Sequence, residues 1–172
     1  EGPVYNSSHL FGFFSIFNAD AVKDVKVYKG GIPASYGGRL SSVIDVRQKE
    51  GNSKNFNMTG GIGLVSSRLL IEAPIEKEKS SFVVAGRASY AHLFLPLIDN
   101  DNKAYFYDLN SKVNYRFNDR NNLFLSTYFG KDVFTFKSPD WGLNMKIPWG
   151  NSTGSIRWNH VFSNKLFMNS SL

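Results

Sequence analysis

From residue 54 onward the chain alternates apolar and polar residues in runs divided by tight polar turns, the period-2 signature of strands with two unlike faces. Phe56, Met58, Gly60, Ile62 and Leu64 share one face, and Asn55, Asn57, Thr59, Gly61 and Gly63 share the other. Leu69, Ile71, Ala73 and Ile75 follow, opposed by Arg68 and Glu72. Phe82, Val84, Gly86, Ala88 and Tyr90 then oppose Arg87 and Ser89. The clearest run is 104–117. Tyr105, Tyr107, Leu109, Val113, Tyr115 and Phe117 take the odd positions, with only Ser111 breaking the row, while Asp108, Asn110, Lys112, Asn114 and Arg116 take the even ones. Alternation over about twelve residues is long beside the ~5–6 of an ordinary soluble strand. Leu123 to Phe129 is apolar on both faces, which leaves its orientation open, and Ile156, Trp158 and Phe162 oppose Arg157 and Asn159.

The connections alternate as well. Short polar turns at 76–79, 118–121 and 163–165 are interleaved with longer segments at 93–103 and 133–150, the second read as a loop from its Trp, Pro and Gly content. Short turns on one rim and long loops on the other are the habit of outer-membrane barrels. The short link near Val65-Ser66-Ser67 does not follow it.

Residues 1–50 have a different texture. Leu10 to Phe17 is too crowded with apolar residues for a clean period. Asn18 offers an N-cap and Asp20 a negative charge for a short helix ending near Val22. Val25 and Val27 against Lys26 and Tyr28 predict a half-buried strand, and Ser42 to Lys49 alternates again. Together these predict a small α/β unit, bounded by the polar break Glu50-Gly51-Asn52-Ser53-Lys54.

Composition narrows the classes. Aromatics reach 15%, with fifteen Phe and eight Tyr, yet there is no apolar run long enough for a membrane helix. Membrane strands give a far weaker hydropathy signal, so this leaves a barrel open. The net charge of +6 comes from scattered Lys and Arg without a basic run, which argues against nucleic acid. No cysteine is present, hence no disulfide framework. His9, His92 and His160 lie far apart with no partner at metal-ligand spacing, so neither a metal nor a cofactor is expected. Asp99 and Asp101 read as solvated turn residues, and Gly60-Gly61-Ile62-Gly63 lacks the last glycine of a dinucleotide fingerprint. No nucleophile elbow or phosphate loop occurs, so the chain does not read as an enzyme. Glu1-Gly2-Pro3 carries no signal-peptide pattern, and the chain reads as an internal fragment.

One stretch goes further. Gly30-Gly31 and Gly37-Gly38 flank Ile32 to Tyr36, and Arg39 leads into Ser41-Ser42-Val43-Ile44-Asp45-Val46. Paired glycines permit positive φ and close backbone approach. Asp20 to Gly30, then Tyr36-Gly37-Gly38 through Asp45-Val46, resemble in order and spacing the end of the plug domain of TonB-dependent outer-membrane receptors. Pro3 to Gly12 resembles the plug of a large-substrate subgroup of that family; Arg39-Leu40-Ser41 stands where many siderophore receptors have small residues. The specific resemblance ends near residue 50; beyond it only barrel texture is shared.

The resemblance implies the C-terminal part of an α/β plug at 1–50, then about seven antiparallel strands at 51–172 of a transmembrane β-barrel of about 22 strands. It implies energised, plug-gated uptake of a scarce nutrient (an oligosaccharide, a peptide or a chelated metal) across the outer membrane of a Gram-negative bacterium. Its partners would be TonB, through a segment outside this sequence, outer-membrane lipid and a surface lipoprotein. Gly30, Gly31, Tyr36, Gly37, Gly38 and Arg39 would form the plug motif. Phe134, Phe136, Trp141 and Trp149 are candidate substrate contacts at the outer rim. Arg87, Asp108, Lys112, Arg116 and Arg157 are expected to face the lumen. The alternatives are a passive porin or structural barrel, and a soluble all-β binding module.

Overall fold

A computed structural model describes residues 7–37, 41–94, 102–138 and 142–172. The fold is mainly β: 69% of the described residues lie in antiparallel strands and none in an α-helix. The N-terminal segment holds two small ribbons. β1 (Ser8–His9) pairs with β2 (Phe14–Ser15), and β3 (Val22–Tyr28) pairs with β4 (Val43–Gln48). Seven further strands make one sheet: β5 (Asn57–Ile62), β6 (Ser66–Glu76), β7 (Ser80–Ser89), β8 (Lys103–Asn118), β9 (Asn121–Ser138), β10 (Leu143–Ser163) and β11 (Leu166–Ser171). Each pairs with its neighbour in sequence, a plain meander.

The sheet has two unlike faces, as the alternation predicts. On β8 the even positions Phe106, Asp108, Asn110 and Lys112 are buried under the N-terminal segment, while Tyr107, Leu109 and Phe117 are 39%, 48% and 54% exposed on the other side. Met58, Ile62, Leu69 and Ile75 are exposed on that same outer face. Register resolves the ambiguous β9 run. Leu125 and Phe129 pair with Val113 and Leu109 and point outward, while Phe124, opposite Asn114, is buried on the inner face. Ser111, the gap in the apolar row, meets the Thr127 hydroxyl at 2.6 Å, so each outward hydroxyl satisfies the other.

The seven strands form an open sheet, with β5 and β11 at its edges among the described residues. Three expectations are corrected. The N-terminal segment is no α/β unit, because the helix capped by Asn18 is a single 3-10 turn, Ala19–Ala21. Val22 immediately resumes extended backbone to pair with β4, which leaves no length for an α-helix. β3 is not half-buried: Val25 and Val27 are 50% and 52% exposed, because the ribbon meets the sheet through the Gln48 end of β4. Most of 133–150 is strand, because β9 and β10 pair continuously from Ser138↔Leu143 to Asn121↔His160. Pro148 lies inside this ladder, opposite Val133. The tight turns at 77–79, 119–120 and 164–165 do fall on one rim.

The N-terminal segment lies on the inner face. Ala21 packs with Leu70, Val83 and Ala85 in a small apolar core. Its path to β5 is held at Glu50, whose carbonyl accepts from Ser81 at 2.8 Å, and at Gly51, whose φ of +85° and contact with the Phe82 backbone leave no space for a side chain.

Candidate functional site

The inner face of β7, β8 and β9 carries a buried polar cluster that receives the N-terminal segment. Pairing sets the rows: Arg87 lies opposite Asp108, Asp108 opposite Gly130, and Phe106 opposite Asp132. His9 enters this surface from β1. Its Nδ1 is 2.8 Å from Asp132 Oδ2 and its Nε2 is 3.1 Å from Asp108 Oδ2. The Tyr128 hydroxyl lies 3.2 Å from the same Nε2. The imidazole stacks on Phe106 with centroids 4.3 Å apart and planes 11° from parallel. His9, Asp108 and Asp132 are each no more than 3% exposed. Gly130 makes the room: a side chain there would meet the Tyr128 phenol and come within 3.2 Å of His9 Cε1.

Arg87 extends the cluster along the segment. Its guanidinium donates to Asp108 Oδ2 and, from Nη2, to the carbonyls of Ser15 at 2.8 Å and Ile16 at 3.1 Å. Asp132 Oδ1 accepts from the Leu10 backbone N–H at 2.8 Å. Leu10 and Phe11 are held at φ +48° and +57°, a left-handed conformation uncommon for residues with side chains. That turn aims Phe11 between Phe134 and Trp149, at centroid distances of 5.2 and 4.8 Å.

The electrostatics balance. Two buried carboxylates face one guanidinium and one imidazole, and a buried charge survives only when paired and hydrogen-bonded. Burial by itself lowers the His9 pKa. The hydrogen bonds and negative charges of Asp108 and Asp132 outweigh it and hold the pKa above its ordinary value of 6.5. Among the described residues no group of three His, Cys, Asp or Glu has metal-holding geometry.

The residues singled out from sequence divide sharply. Arg87 and Asp108 belong to this cluster, and Lys112 donates to the Gln48 carbonyl at 3.5 Å while Asn110 accepts from the Gln48 amide at 2.9 Å. Arg116 instead bonds the Glu78 carbonyl in a rim turn, at 2.9 Å. Arg157 lies over the Phe124 ring, 4.3 Å from its centroid. Phe134 and Trp149 meet through Phe11; Phe136 sits farther along the strand, opposite Met145. Tyr36 closes the β3–β4 connection, donating to Asp45 at 3.0 Å and packing on Tyr28. Gly31 takes a φ of +59°, but nothing lies near a side chain built at Gly30, Gly31 or Gly37, so close approach explains none of them. Trp141, Gly38, Arg39, Asp99, Asp101 and residues 3–6 lie outside the described residues.

Sequence reasoning missed His9, Tyr128 and Asp132. His9 was discounted as a lone histidine, whereas its partners are 99 and 123 residues away in the chain. The available signal was Asp132, an acidic residue within an aromatic-rich run and two residues after Gly130, a glycine that a strand of ordinary packing does not need.

No family model matches this chain. No curated protein matches its sequence, and no solved structure matches its fold. The functional reading therefore rests on the residues and the geometry.

Proposed function

We propose that the chain is part of a TonB-dependent outer-membrane transporter. In this reading residues 1–50 are the C-terminal part of the plug and residues 51–172 the first strands of its barrel. The observation that carries it is the division of the sheet. One face is a broad exposed surface of Met58, Ile62, Leu69, Leu109, Phe129 and Ile156, and the other is polar and covered by a segment of the same chain. A soluble sandwich would cover its apolar face with a second sheet. A membrane barrel leaves it to lipid and keeps its polar groups inside.

On this reading the open edges β5 and β11 pair with further strands of the closed wall, since unpaired backbone groups in lipid cost several kcal/mol each. The N-terminal segment blocks the lumen. A substrate binds from outside, where Phe136 and Trp141 are candidates to stack against it. Phe134 and Trp149 are partly engaged by Phe11 and would contact substrate only as the plug moves. TonB then draws on the plug, a surface lipoprotein supplies substrate, and no covalent chemistry takes place. The segment packed on the inner face also weighs against a passive porin, which needs no such cover.

The test uses the full-length protein. Removing its plug, residues 1–50 of this sequence included, should raise passive conductance in planar bilayers and abolish uptake driven by the proton-motive force. Unchanged conductance together with surviving energised uptake would overturn the assignment.

A further inference from the structure

We propose that His9 is a charge-dependent pin, whose imidazolium fastens the N-terminal segment to β8 and β9 through both ring nitrogens and whose deprotonation frees it. The inference goes beyond transport and does not depend on what crosses the sheet.

Both imidazole nitrogens face carboxylate oxygens, Asp132 Oδ2 at 2.8 Å and Asp108 Oδ2 at 3.1 Å. A carboxylate only accepts, and a neutral imidazole has a single N–H. Only the protonated ring satisfies both partners. Charge agrees, since with His9 protonated the cluster holds two positive and two negative groups. Loss of the proton leaves one uncompensated negative charge in a site closed to water. The flat Phe106 face also favours a cationic ring over it.

The neutral form has its own arrangement. Tyr128, 3.2 Å from Nε2, becomes the donor to that nitrogen, while Nδ1–H keeps Asp132. Asp108 is then left to Arg87. Among the described residues the charged and titratable groups facing His9 are thereby placed: Asp108 from β8, Asp132 and Tyr128 from β9, and Arg87 of β7 through Asp108. The neighbouring turn sharpens the response. Leu10 donates to the same Asp132, and the left-handed backbone at Leu10 and Phe11 persists only while its surroundings hold it.

The sign follows from the raised pKa. The pin contributes fully below the ordinary value of 6.5 and is lost as pH climbs through the raised one, so the segment is held on the acid side and released on the alkaline side. Hydrogen–deuterium exchange of the full-length protein in lipid nanodiscs, corrected for intrinsic rates, reads this directly over the peptide 8–17. Between about pH 6 and pH 10, protection should fall about tenfold for each unit by which folding raises the pKa. In His9→Gln protection should be low and flat, and in Asp132→Asn the midpoint should move down. A flat wild-type profile, a pH response that persists in His9→Gln, or an unmoved midpoint in Asp132→Asn would each overturn the pin. Energised uptake measured on the same preparation separates the two readings. A titrating pin without uptake sinks the transporter alone, and uptake with a flat profile sinks the pin alone.

Discussion

Replacing Leu109 with arginine asks which solvent touches the outer face. Leu109 sits near the middle of β8, is 48% exposed, and is flanked by Gly86 and Phe129 on the neighbouring strands. In water, a half-exposed strand position away from any hydrogen-bond network tolerates arginine within about 0.5 kcal/mol. In lipid, the same substitution costs about 2–4 kcal/mol at the midplane, a loss of about 30- to 800-fold in the folding constant. Depth supplies an internal control. Phe117 lies on the same outer face, 54% exposed, farther along the strand. Eight residues at ~3.3 Å, tilted ~40°, put it about 20 Å away in depth, at or beyond the interface, where arginine costs about 0–1 kcal/mol. Folding of the full-length protein into vesicles, followed by denaturant titration, measures both. Leu109→Arg should be severe and Phe117→Arg mild. Equal and negligible effects would show that the face is in water, and the membrane reading would fall.

Three further outcomes are expected. Arg87→Ala leaves Asp108, whose side chain is fully buried, without its guanidinium; it should destabilise docking of the N-terminal segment by about 3–5 kcal/mol, seen as faster proteolysis within residues 8–18, and Arg87→Lys should rescue little because it lacks the fork geometry. Ser111→Ala and Thr127→Val should each cost about 1 kcal/mol, and the double variant less than their sum, by a double-mutant cycle on vesicle stability; strict additivity would mean that the hydroxyls do not satisfy each other. Gly130→Ala should push Tyr128 off His9 and destabilise by about 1–3 kcal/mol, with a changed tyrosine near-ultraviolet signal and earlier proteolysis of the same segment; an unchanged cleavage rate would refute the packing argument.

Strand faces were legible because a period of two fixes them locally. Asp108, Lys112 and Leu109 fall where their parity puts them. Even Ser111, an apparent defect in the row, is explained once register brings Thr127 opposite it. What failed was judgement from local composition. Trp149 and Pro148 look like loop residues, but both sit in the β9–β10 ladder, opposite Asp132 and Val133, a register that local composition does not show. Asn18 and Asp20 were right as cap and first-turn charge, and yet the helix stops after one turn because β4 claims the residues that follow. The buried cluster was out of reach for a related reason. Its members come from β1, β7, β8 and β9, and nothing near His9 in the chain announces two carboxylates about a hundred residues downstream.

The meander sets an order of events. Each strand of the sheet pairs with the next in sequence, so the wall can zip up hairpin by hairpin with short loop closures. The contacts of His9 instead close loops of 99 and 123 residues, and they require β8 and β9 already side by side. The N-terminal segment therefore docks on a seat made from residues about a hundred positions downstream. The carboxylates that hold His9 and the Leu10 N–H come from β8 and β9, so docking of the N-terminal ribbon reads whether that part of the wall is correctly paired.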